Sequence, residues 1–152
     1  MGMPPHPPVP GAAELAVRLE ELGRSLGERE ASHQAGLSEA RACLERLRGW
    51  VAAALEGFHK AAAAAGAPQL RIAISEVRAD DKHLRAAQFE LTRGRYRAIV
   101  TARSRGEITL VGPFHAGKTE GPCLTFPLGG GEDLSAALAS FLERFLEEAA
   151  TP

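Results

Sequence analysis

The 152-residue chain predicts an α+β fold: a long N-terminal helix or helical hairpin, a four- to five-stranded antiparallel meander, and a C-terminal amphipathic helix packed on the sheet. Changes of apolar period carry this expectation. Apolar residues step by three and four between residues 12 and 65, alternate with polar ones from residue 70 onward, and step by three and four again after Gly129-Gly130-Gly131. The links between alternating runs are far too short for crossover helices, so neighbouring strands must run antiparallel.

In the first segment Leu15, Leu19, Leu22 and Leu26, then Leu37, Ala40, Leu44, Leu47, Val51, Ala54 and Phe58, form the stripe of an amphipathic helix. Between the two sets the stepping lands on Glu30 and His33, a polar interruption bracketed by Gly27 and Gly36. One helix of about 80 Å, or two helices meeting near residues 27–36, would both fit. The segment ends at Gly66-Ala67-Pro68, where glycine can take a left-handed cap conformation and proline cannot continue the helix.

Strand alternation then appears at Leu70, Ile72 and Ile74, at Ala87, Phe89 and Leu91, at Tyr96, Ala98, Val100 and Ala102, and at Ile108 and Leu110. Asp80-Asp81-Lys82, Arg93-Gly94-Arg95 and Ser104-Arg105-Gly106 are the expected turns. Residues 123–128 add a fifth strand, placed at an edge by Pro122 and Pro127. Leu134, Leu138, Phe141, Leu142, Phe145 and Leu146 form the last helical stripe, begun by Glu132 and Asp133 where a helix N-terminus favours negative charge. The domain reading is therefore a disordered proline-rich tail over 1–11 and one domain over 12–152. Within that domain lie a helical segment (12–66), a sheet (69–128) and a C-terminal helix (132–150).

Composition bounds the function classes. With 45% hydrophobic and 24% charged residues the chain can build one core without a disulfide or metal. Cys43 and Cys123 show no metal-ligand spacing and read as buried free thiols, which points to a reducing compartment and a cytoplasmic location. No apolar run approaches a membrane span and residues 1–10 lack the pattern of a secretory signal, so no membrane partner is expected. Arginine-, alanine- and glycine-rich usage suggests a bacterial source. Histidines 6, 33, 59, 83 and 115 are scattered, explained for the most part by solvent exposure, and supply no metal or catalytic constellation; no cofactor is expected.

Two features compete for a function. Gly112-Pro113-Phe114-His115-Ala116-Gly117-Lys118-Thr119 fits G-x-x-x-x-G-K-[ST] and resembles the Walker A segment of P-loop nucleotidases, which implies nucleotide binding through Gly112, Gly117, Lys118 and Thr119. The chemistry also needs a helix directly after the loop, its N-terminus facing the phosphates. Here Glu120-Gly121-Pro122 follows, and a surface loop over residues 112–122 is expected instead. The second feature is charge: residues 69–105 hold nine basic against four acidic side chains, a net of +5, while residues 106–152 carry a net of −5. Arg71, Arg97 and Arg103 fall opposite the apolar strand positions and form a candidate anion- or nucleic-acid-binding face, although Phe89 and Tyr96 lie on the apolar side rather than available for stacking. The expectation that ranks first is a non-enzymatic protein-interaction or assembly module. Its candidate seam is Leu15, Leu19, Leu22 and Leu26, which would bind a protein partner or a second copy.

Overall fold

The computed structural model describes Gly2 and residues 11–79, 85–115 and 121–150. Helix α1 runs unbroken from Ala12 to Ala64, so the long-helix alternative holds and no hairpin forms near residues 27–36. Nothing in that stretch forbids a helix: it contains no proline, and isolated glycines weaken a helix by about 1 kcal/mol each without ending it. The expected tail is, apart from Gly2 and Gly11, outside the described residues.

The strands are β1 (Ala73–Ile74), β2 (Arg78–Ala79), β3 (Ala86–Arg93), β4 (Tyr96–Arg103), β5 (Glu107–His115) and β6 (Cys123–Pro127), followed by α2 (Gly131–Ala150). All pairings are antiparallel, in the order β1-β3-β4-β5-β6, with β2 also on β3. The first alternating run forms only the short β1, and the sixth strand is β2, which lies beyond that run. Between them Ser75 bonds to Glu90 twice: its N–H donates to the Glu90 carbonyl (2.9 Å), and its Oγ accepts the Glu90 N–H (2.8 Å). The turn expected at residues 80–82 lies outside the described residues.

Both helices cover one face of the sheet, α1 over β3 and β4, α2 over β4 and β5. That inner face carries Ala87, Phe89, Leu91, Ala98, Val100, Ala102, Ile108 and Leu110, all buried. From above, α1 contributes Ala40, Cys43, Leu44, Leu47, Val51 and Leu55, and α2 contributes Leu134, Leu138, Phe141, Phe145 and Ala149. The seam expected on α1 is thus shifted at one point: Leu55 enters the core and Ala54 is exposed. Burial of this continuous apolar set, at about 25 cal/mol per Å², is the main force closing the two layers.

The approach of α1 to the sheet is set by Gly36. A Cβ built there would lie 2.1 Å from the Ser104 carbonyl oxygen in the β4–β5 turn, so the helix passes the turn where only glycine fits. Beside it, His33 Nε2 and Arg85 Nη1 are 2.6 Å apart. At the other end of the packed segment, His59 Nε2 accepts the Ile72 N–H at 2.9 Å, which requires an unprotonated Nε2. These two histidines are half-buried and bonded rather than solvated; His115 is exposed and meets Tyr96 edge-on. Cys43 is buried as expected, but Cys123 is exposed, because β6 is an edge strand and places it on the uncovered face.

Candidate interaction surfaces

The first half of α1 touches little of the body. Of residues 12–35 only Ala12 and His33 are even half-buried. Leu15, Leu19, Leu22 and Leu26 are 58%, 57%, 50% and 48% exposed. At about 100° per residue these four lie within about 60° of one another. The eleven-residue step from Leu26 to Leu37 is close to three full turns, so the stripe keeps its direction into Ala40, Leu44, Leu47 and Val51, which face the sheet. The exposed leucines therefore point to the side on which the sheet lies, but they stand beyond its end. Val17, also exposed, is on the opposite side of the helix.

A second apolar surface separates the helices. Cys43, Arg46, Leu47 and Trp50 of α1 face Glu132, Leu134 and Ser135 of α2 across a cleft of about 380 Å³. The cleft continues between Trp50, Ala54 and Leu55 on one wall and Leu138, Ala139, Leu142 and Leu146 on the other. Trp50, the sole tryptophan, is 60% exposed at its rim.

The uncovered face of the sheet holds Arg97 and Arg103 at opposite ends of β4, six residues or about 20 Å apart. Arg71 precedes β1 and belongs to no strand, so the expected three-arginine face is not drawn together on one set of strands. Arg97 Nε lies 3.3 Å from Glu90 Oε1 without the alignment of a hydrogen bond, while Arg78 Nη2 donates to Glu90 Oε2 at 3.2 Å. Glu90 is 8% exposed although strand alternation places it on the open face, because the arginine side chains lie beside it. Glu107 pairs with Arg105 at 2.8 Å, and the Arg103 Nε is buried without a hydrogen-bond partner among the described residues. Replacing Glu90 by glutamine should lower the free energy of unfolding by about 1 kcal/mol, a small figure because both arginines are half-exposed and can be resolvated. Urea unfolding with an unchanged m-value would register this as a shift in midpoint.

The Walker-like segment is divided. Gly112, Pro113, Phe114 and His115 belong to β5, not to a loop, while Gly117, Lys118 and Thr119 lie outside the described residues. The extension of β5 rests on a bulge: Arg97 pairs with Phe114 and Ile99 with Val111, so Gly112 and Pro113 together oppose Ala98. Gly112 has φ 122°, and a Cβ there would lie 3.0 Å from both the Arg97 carbonyl oxygen and the Ala98 Cα. Its N–H donates to the Pro122 carbonyl at 2.8 Å, after which β6 begins at Cys123. A strand thus begins at Cys123, where the helix that follows a phosphate-binding loop would still be running.

Among the described residues no three or more His, Cys, Asp or Glu side chains are grouped to hold a metal, and no helix is long and apolar enough to cross a membrane. Comparison with known proteins finds no matching family, no matching curated protein and no matching solved structure.

Proposed function

We propose that this chain is a non-enzymatic assembly or adaptor module of the cytoplasm, with the outer half of α1 as its contact element. The observation that carries the reading is the stripe Leu15, Leu19, Leu22 and Leu26, half-exposed on a helix that extends about 36 Å beyond the sheet. Apolar stripes of this kind on soluble proteins mark interaction sites. The rest of the molecule is a compact support: two layers, one core, and a glycine contact that fixes where the helix leaves the body.

A photo-crosslinking amino acid tests this in the expressing cell. Placed at Ala16, on the flank of the stripe, it should yield a discrete protein adduct; placed at Ala31, on the far side of the helix, it should yield none. Equal labelling at the two positions, or none at either, would overturn the reading.

A further inference from the structure

We infer that the occupant of the leucine stripe is the same stripe of a second copy, laid antiparallel to it; this rests on the assembly reading and names its partner. The spacing four, three, four between Leu15, Leu19, Leu22 and Leu26 is the same read in either direction. Turned about a two-fold axis, the stripe meets itself, Leu15 against the second Leu26 and Leu19 against the second Leu22, each side chain filling the gap between two others.

The direction follows from the fold. Because the stripe points to the side on which the sheet lies, a parallel partner continuing past the level of Gly36 would run into the volume of the first copy's sheet. An antiparallel partner does not. In that register its Ala12 stands level with Arg29, so the second helix ends about seven residues, or about 10 Å, short of Gly36 and the Ser104 turn. The overhang is the length its own copy needs.

Charge agrees with the same register. In an antiparallel pair each flank of the seam faces the equivalent flank of the other helix. On one flank Arg18 comes within one turn of the second copy's Ser25, so no like charges meet there, and the contact forms twice by symmetry. The other flank carries Ala16 and Gly23, small residues that allow close approach. Glu30 of each copy stands beside the helix N-terminus of the other, which begins at Gly11 without a side-chain cap and carries the positive end of the helix dipole. The contact is small, near the lower limit of about 1,000 Å² for a specific interface, so a micromolar dimer is expected rather than an obligate one.

Sedimentation equilibrium of the full chain should give a monomer–dimer equilibrium, and a Leu19→Glu, Leu22→Glu variant, with its fold checked by far-ultraviolet circular dichroism, should dissociate at least 100-fold more readily. In a Cys123→Ser background, mixing Leu15→Cys with Leu26→Cys protein should form the mixed 15–26 disulfide under mild oxidation. A wild type that stays monomeric to high micromolar concentration, a larger oligomer, or a preference for 15–15 disulfides would overturn the antiparallel second copy and leave the stripe to another protein. A dimer indifferent to the Leu19→Glu, Leu22→Glu change would overturn both this inference and the assembly reading.

Discussion

Truncating Phe89 to alanine should remove about 3–5 kcal/mol of folding free energy, the largest effect expected of any single substitution here. Phe89 is fully buried near the middle of β3, paired with Val100 and beneath α1. Its loss leaves a cavity between two layers that cannot easily collapse, since Ala87, Ala98 and Ala102 nearby are already small. Phe126, half-buried on the edge strand β6, provides the comparison: its truncation should cost no more than about half as much. Chemical denaturation of both variants measures the difference. Equal losses would mean that the core is not centred under α1.

Substituting Gly36 by valine should cost about 2–3 kcal/mol, for the opposite reason. A Cβ there meets the backbone carbonyl of Ser104 at 2.1 Å, and a backbone atom cannot rotate away as a side chain can. Either α1 lifts from the β4–β5 turn or the turn shifts, and both loosen Leu37, Ala40 and Arg85–His33. Gly27 is the internal control. Its Cβ would meet open space, so Gly27→Ala should stabilise the chain by up to about 1 kcal/mol through helix propensity alone. Thermal unfolding should therefore fall by about 5–10 °C for Gly36→Val and rise slightly for Gly27→Ala. A neutral Gly36→Val would show that helix and turn are not in contact.

How far the sequence reveals this fold depends on whether a signal is local. The helical stripe, the strands from Ala87 to Leu110 and the last helix are written in period, and periods of 3.6 and two are distinguishable in short windows. Gly112-Pro113 misleads because the pair ordinarily punctuates a chain, whereas here a bulge opposite Ala98 absorbs it and β5 runs on to His115. Glu90 misleads in another way. Alternation assigns it to the open face correctly, but its burial comes from Arg78 and Arg97, which reach it from other strands. The leucines of the candidate seam are legible from spacing alone. Their alignment with the sheet-facing side is not, since it requires the helix to continue straight through residues 27–36, and Gly36 is explained only by Ser104, which is 68 positions away in the chain.

The overhang of α1 also governs how the molecule moves through solvent. A rod of about 36 Å attached to a small body raises friction far more than it raises mass, because drag follows length along the longest axis. A single copy should therefore elute from a sizing column well ahead of a compact protein of 16.1 kDa. An antiparallel pair, with its bodies at opposite ends of the joined helices, should be more extended still. Apparent size from elution would count copies wrongly at every concentration, whereas shortening the chain to begin near residue 34 should return its frictional ratio to that of a sphere-like domain.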